Sequence, residues 1–400
     1  RWSKICIEVV MVVFFLHTVQ VQGTEIGMWD YIQSVRESSD FYEKEYVNPA
    51  KVKMTFPKEK KNLIYIFMES MESSYADKED GGTMDDNYIP NLTKLARENV
   101  QFTDKKDGKV GGPVCLEATA YTAGGLVAQT SAINLKVMNS GAVSDSFLPN
   151  LTALGDILNK QGYNQMFLFF FDGDFAGRDA YFKTHKDYQI EDYKAAIKEG
   201  DIPKDYKVYW GHEDKVLYER AKKNLKKLSK EGKPFNLTML TVDTHFPNGY
   251  ICDLCENKYD TTYGNAVACA DRQVYDFVQW IKKQDFYEDT TIIIAGDHTS
   301  MVDTGSKFWK SLSNDYQRTV YNAIINPQCA YKKKVTTKRK FSTMDMFPTT
   351  LAALGVEIDG NKLGLGTNLF SGEETLREEL GANYINKELE RNDKMYNQFY

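Results

Sequence analysis

Four short runs along the chain are apolar at consecutive positions: Asn62–Met68 (NLIYIFM), 165–171 (QMFLFFF), 236–242 (NLTMLTV) and 290–295 (TTIIIA). A strand covered on both faces reads this way, as in a buried parallel sheet. Between the runs the apolar period changes to the helical one, as at Leu151, Leu154, Ile157 and Leu158, or at Val274, Phe277, Val278 and Ile281. Such alternation predicts β-α units and an α/β fold with a mainly parallel sheet. After residue 328 the pattern breaks into a basic stretch, KKKVTTKRK, followed by a short helical pattern over 344–354, which predicts a smaller C-terminal subdomain. No internal repeat or low-complexity tract interrupts the chain.

The N-terminal end has a different character. Residues 5–21 are strongly apolar, broken only by Glu8, His17 and Gln20, with Arg1 and Lys4 ahead of them and Val21-Gln22-Gly23 behind. The segment reads as a signal peptide or as the tail of a membrane helix, and both put the remainder outside the cytoplasm. A buried core helix is the ordinary alternative. The first residue is Arg rather than Met, so the sequence reads as part of a longer product. Residues 24–60 are polar and predict a connector. The expected division is therefore 1–23 membrane or signal segment, 24–60 connector, 61–330 catalytic domain and 331–400 C-terminal subdomain.

The 400 residues are 42% apolar, 26% charged and 13% aromatic, a globular composition with room for a large core. Lys and Arg number 50 against 56 Asp and Glu, a net charge of -6 that offers no global positive field, so a nucleic-acid partner is not expected. Of six cysteines, Cys252 and Cys255 form a C-x-x-C with no second one to complete a zinc site. A disulfide suits an exported protein better, and a Cys255–Cys269 bond would close a small loop after His245, although spacing leaves the pairing open.

The chemistry gathers where the strands end. The four runs lead into Glu69-Ser70, Asp172-Gly173-Asp174, Asp243-Thr244-His245 and Gly296-Asp297-His298. Ligands of open parallel sheets bind beyond the carboxyl ends of the strands. One acidic strand end is ordinarily a cap or a turn; four together, two with a histidine, point to a site. Glu69, Asp297 and His298 make an oxygen-rich set with one nitrogen, suited to a single Mn²⁺ or Mg²⁺. Only five histidines occur, too few for a two-zinc phosphatase centre, although one Zn²⁺ remains an alternative. For the nucleophile, the glycine-flanked segment 111–135 offers Thr122, expected at a helix N-terminus where free amides hold a phosphoryl oxygen. Thr119 is the second candidate, and a plain N-cap role is the ordinary reading of Thr122.

Together with Pro90-Asn91-Leu92, Leu95-Ala96, Phe102, Phe175 to Arg178 (FAGR), Trp210-Gly211, TVDTHFP at 241–247, the Cys255 and Cys269 pair, and GLGTN at 364–368, these residues resemble the alkaline phosphatase/sulfatase superfamily over roughly residues 61–370. Within it the pattern is most similar to membrane-anchored phosphoglycerol transferases and lipoteichoic acid synthases. That resemblance implies an α/β/α sandwich, one Mn²⁺ on Glu69, Thr122, Asp297 and His298, and Thr122 as nucleophile. It also implies that Asp172, Arg178 and His245 contact the glycerol phosphate of phosphatidylglycerol, at a membrane surface in the cell envelope. The chain departs from lipoteichoic acid synthases at Ala176, where they carry Trp, and it lacks the C-x-P-S-R nucleophile motif of sulfatases, since Leu116-Glu117-Ala118 follows Cys115. The implied reaction passes glycerol phosphate to a hydroxyl acceptor, a glucan or a teichoic-type polyol-phosphate polymer. A phosphoethanolamine transferase, a phosphodiesterase and an inactive membrane-associated binding module are the alternative readings.

Overall fold

The computed structural model describes residues 38–106, 108–136, 146–171, 177–186 and 188–400, with residues 11, 17–21 and 24 before them. Among the described residues no helix is long and apolar enough to cross a membrane. Most of the apolar segment 5–21, and Asp172, lie outside them.

Six strands form the central sheet: β1 (Asn62–Met68), β2 (Asn164–Leu168), β3 (Tyr188–Glu191), β4 (Phe235–Leu240), β5 (Thr290–Gly296) and β6 (Asn322–Ile325). Their order is β3-β2-β4-β1-β5-β6, parallel except for the last pair. The four apolar runs supply β1, β2, β4 and β5, the four central strands. The edge strands β3 (YQIE) and β6 (NAII) escaped the apolar pattern because each has only four residues and a polar member. The second run also leaves the ladder earlier than expected. Beyond Leu168 its carbonyls serve other segments, with Phe170 O accepting from His212 N and Phe171 O from Tyr193 N.

Alternate residues of each strand enter opposite layers, as the two-residue strand period dictates. Leu63, Tyr65, Phe67, Phe167, Ile293 and Ile324 face one core, shared with α2 (Thr122–Ser131), α3 (Leu154–Lys160) and α7 (Met346–Ala353). Ile64, Ile66, Met68, Leu237, Ile292 and Ile294 face the other, covered by α1 (Pro90–Glu98), α5 (Asp214–Leu228) and α6 (Thr262–Ile281). Between α3 and α5 runs the short α4 (Arg178–Thr184). This is the three-layer α/β/α arrangement. Pro90 opens α1, and the free amides of Asn91 and Leu92 donate to the Asp271 carboxylate of α6 at 3.2 and 2.7 Å.

Part of the stretch read as a connector is folded onto the chain's C-terminal section. Ser38–Ser39 pair with Asn392–Asp393, Met54–Thr55 pair with Glu357–Ile358, and Phe41 and Tyr42 are buried. The C-terminal residues Leu363, Leu389 and Phe399 share the first core with β1 and β5.

Candidate active site

β1 and β5 run in register, Met68 opposite Gly296, so the next residues, Glu69 and Asp297, emerge side by side. From the other flank Thr241 Oγ1, just past β4, accepts from Glu69 N at 3.0 Å, and the Thr244 hydroxyl donates to the Glu69 carbonyl. The Asp297 carboxylate is held through one oxygen, Oδ1, by Ser70 N at 2.8 Å and His298 N at 2.7 Å. Ser70 takes a positive φ of 51° to make that contact, a strained conformation for a residue with a Cβ. His298 donates from Nδ1 to Thr299 O at 2.8 Å, which leaves Nε2 to the cluster, 3.4 Å from Glu69 Oε1 and 3.5 Å from Asp297 Oδ2.

Thr122 is the first residue of α2, after an extended Tyr121. It does not cap the helix. Its hydroxyl instead lies 3.2 Å from Glu69 Oε2 and 3.3 Å from His298 Nε2. The small residues of α2 permit this approach: a Cβ on Gly125 would stand 2.1 Å from the Asp297 carbonyl oxygen. Thr119 is buried and donates to Leu116 O at 2.9 Å, so its hydroxyl is spent on a local turn.

Burial and the Glu69 charge both push the Asp297 carboxyl up. Burial also works against Glu69, yet the neighbouring His298 charge and hydrogen bond hold it below the usual carboxylate range. For His298 burial lowers the pKa, and the two carboxylates outweigh it and raise it. The set is thus ionised and proton-retaining at once, a compromise that a divalent cation would resolve. Glu69, Asp297 and His298 present three ligand atoms within 4.8 Å of one another, and the buried Asp297 Oδ2 has no hydrogen-bond partner among the described residues. Ligand atoms about 2.0–2.2 Å from one ion stand roughly 3–4 Å apart, which fits the distances above.

The flanking strand ends bring two further predicted residues. Arg178 opens α4, its guanidinium 4.7 Å from the Phe171 ring centroid; burial lowers its pKa while the charges of Glu69 and Asp297 raise it, so it senses the same cluster. His245 follows β4, and its charge in turn helps to lower Glu69. Its Nδ1 donates to Phe246 O at 2.8 Å, and its ring lies 5.3 Å from Trp210. Asp172 lies outside the described residues. His185 pairs with Asp156 at 2.7 Å and the buried His212 follows no strand, so neither joins the cluster.

Three supports were not singled out from the sequence. Glu72 accepts from Ser300 N at 2.8 Å and pairs with Arg318, bracing the turn after His298. Asp214 accepts from Val242 N at 2.7 Å and Asp243 N at 3.2 Å, which fixes the backbone leading to His245. Tyr209 donates to the His245 carbonyl at 2.8 Å. Glu72 lies three residues after Glu69, but the partners of all three come from distant segments.

A sulfatase-family model matches residues 61–356, more than half of the chain. The chain belongs to the sulfatase family. Phosphoglycerol transferase I of Salmonella choleraesuis is 32% identical over 340 residues, covering 82% of this chain and 41% of that protein, so the chain spans about two fifths of the length of the curated relatives it matches. Among solved structures, the lipoteichoic acid synthase LtaP from Listeria monocytogenes is similar with a TM-score of 0.61 at 19% identity, over 80% of this chain and 79% of that one. A protein in the alkaline phosphatase superfamily from Vibrio parahaemolyticus gives 0.56 at 21% identity, over 82% and 75%. The alkaline-phosphatase-like fold and the family resemblance drawn from the sequence both stand.

Proposed function

We propose that this sulfatase-family domain is a phosphoglycerol transferase that moves glycerol phosphate from phosphatidylglycerol to a hydroxyl acceptor through a covalent intermediate on Thr122. The observation that carries the reading is the Thr122 hydroxyl at the N-terminus of a buried helix, within 3.3 Å of both Glu69 and His298. The name of the relative in Salmonella choleraesuis supports the substrate class, and the missing C-x-P-S-R motif argues against sulfate ester hydrolysis.

Glu69, Thr122, Asp297 and His298 are the residues that would hold one divalent cation, Mn²⁺ by the oxygen-rich set, with Mg²⁺ and Zn²⁺ as alternatives. Bound there, the cation supplies Lewis-acid stabilisation of phosphoryl charge and lowers the pKa of a hydroxyl. The Thr122 oxygen attacks phosphorus, its proton passing to solvent or to the leaving oxygen, and diacylglycerol departs. The acceptor hydroxyl then attacks the phosphorus of the glycerophosphoryl-threonine, the Thr–O–P bond breaks, and the acceptor's proton, directly or through solvent, restores the Thr122 hydroxyl. Arg178 and His245 hold the phosphate oxygens from the flanks, the guanidinium by paired hydrogen bonds. Asp172 belongs to the same proposed group of substrate contacts. The domain works outside the cytoplasm at a membrane surface, a placement supported by the apolar segment 5–21 and by the Cys255–Cys269 disulfide.

Incubation with head-group-labelled phosphatidylglycerol and candidate acceptors, a glucan or a polyol-phosphate polymer, tests this. Diacylglycerol release with label on the acceptor supports the transferase. Label recovered as free glycerol phosphate would make the protein a phosphodiesterase, and turnover of phosphatidylethanolamine alone would make it a phosphoethanolamine transferase. Cation binding without any turnover would leave the binding-module reading.

A further inference from the structure

The second group of metal-type ligands is Cys252, Cys255 and Cys269, clustered where the loop that leads away from His245 meets α6. Cys255 and Cys269 are joined, the first on the loop and the second inside α6. Cys252 is a free, buried thiol whose Sγ lies 3.6 Å from Cys255 Sγ, in contact with one sulfur of the bond. A tight turn holds it there, with Cys255 N donating to Cys252 O at 3.1 Å and Cys252 N donating to Cys255 Sγ at 3.3 Å. Gln273 Nε2 stands 3.6 Å from Cys269 Sγ, a donor to the sulfur that would leave, and all three sulfurs lie within 4.8 Å of one another, so Cys252 sits beside the bond and swings into line to attack. An attacking thiol, a central sulfur and a stabilised leaving sulfur are the three parts that thiol–disulfide exchange requires.

We propose that this cluster is an internal thiol–disulfide exchange site, in which the crosslink moves between Cys255–Cys269 and Cys252–Cys255. The Cys252 thiol gives its proton to solvent and its sulfur bonds to Cys255 Sγ. The electron pair of the broken bond leaves on Cys269 Sγ, which takes up a proton. One disulfide and one thiol exist before and after, so no oxidant or reductant is consumed.

The two forms differ in what they tie down. Cys255–Cys269 anchors the loop to α6; Cys252–Cys255 closes only a four-residue ring within the loop. Once exchanged, the loop keeps to α6 by non-covalent contacts, such as Lys258 N and Tyr259 N on Asn265 Oδ1 at 2.9 and 2.7 Å, Arg272 on Leu254 O at 3.0 Å and the Arg272–Glu256 ion pair at 3.9 Å. The same loop carries His245 at its start, where Gly249 N donates to His245 O and Tyr250 N to Asp243 O. The crosslink therefore sets how firmly the strand end beside the candidate active site is held.

The test uses the whole chain, purified without reductant, pulsed with a maleimide under native conditions and mapped by mass spectrometry. Two species are expected, one with Cys252 alkylated and Cys255–Cys269 intact, the other with Cys269 alkylated and a Cys252–Cys255 bond. The second should vanish in Cys252→Ser. Cys269→Ser treated with glutathione disulfide should close the Cys252–Cys255 bond, which keeps the proposal testable if the first variant fails to fold. Complete alkylation of Cys252 with Cys269 never labelled would overturn it. So would separate glutathione adducts on Cys252 and Cys255 in Cys269→Ser, or a zinc ion recovered on three free thiols.

Discussion

The adjacent strands β1 and β5, and the neighbouring pair β2 and β4 on the β1 side of them, all deliver polar groups to one edge of the sheet, but in different ways. Glu69 and Asp297 follow their strands directly, are buried, and are pinned by backbone amides and by Thr241. Arg178 and His245 stand several residues beyond theirs, on a short helix and a loop, and lean on aromatic rings, Phe171 and Trp210. The groups that meet one another within hydrogen-bond distance sit on the rigid part of the scaffold, whereas the proposed substrate contacts sit where the chain can vary at low cost. Under the proposed function, the β1 and β5 residues would serve chemistry and the β2 and β4 residues recognition.

Removing the nucleophile breaks that division most severely. Thr122→Ala should lower diacylglycerol release by roughly 10³-fold or more with the fold intact and at most a modest loss of stability, because among the described residues the lost hydroxyl bonds only to Glu69 and His298. Thr119→Ala is its control. It should keep activity and lose about 1 kcal/mol of stability with its bond to Leu116 O. The reverse pattern would move the nucleophile to Thr119.

Next in size is Asp297→Asn. Even partners one step removed from a metal cost about 10–100-fold in affinity, so losing a ligand charge should cost more, read as a weaker Mn²⁺ titration by calorimetry. The same titration probes His298. Its pKa is raised in the metal-free cluster, so a proton must leave the ring as the cation enters; affinity should increase as pH rises, and heats measured in buffers of different ionisation enthalpy should report proton release. Binding without proton release would remove His298 from the ligand set.

On the flanking side the effects shrink and change kind. Arg178→Lys should raise KM by roughly 5- to 150-fold, the equivalent of about 1–3 kcal/mol for a hydrogen bond to a charged group, and leave cation affinity alone. A lower melting temperature with normal kinetics would make Arg178 a structural residue. Trp210→Ala should do least. The ring is half-exposed, so a loss of about 0.5 kcal/mol in stability and a KM change of a few fold are expected, measured by melting and steady-state kinetics.

Glu69, Asp297 and His298 were legible because they stand within three residues of apolar runs long enough to declare themselves buried strands, and strand ends share an edge by topology. The edge strands β3 and β6 were not, since four residues cannot display a period. The sequence ranks Thr122 ahead of Thr119 only through its expected place at a helix N-terminus. What separates them is the direction each hydroxyl takes once α2 has docked against Asp297, an approach that Gly125 allows. Arg318 on Glu72 and Asp214 under Val242 lie far from their partners along the chain, and no local pattern announces such pairs.

The amino-acid sequence by itself determined the α/β alternation, the four central strands and the acidic and imidazole groups at their ends, because hydrophobic period and strand direction are local properties. Only the tertiary structure decided which threonine joins the cluster, that Ser38–Ser39 and Met54–Thr55 fold back onto the C-terminal section, and that a free Cys252 rests against the Cys255–Cys269 bond. Those outcomes depend on distances between residues remote in the chain, which close packing sets and spacing along the sequence does not.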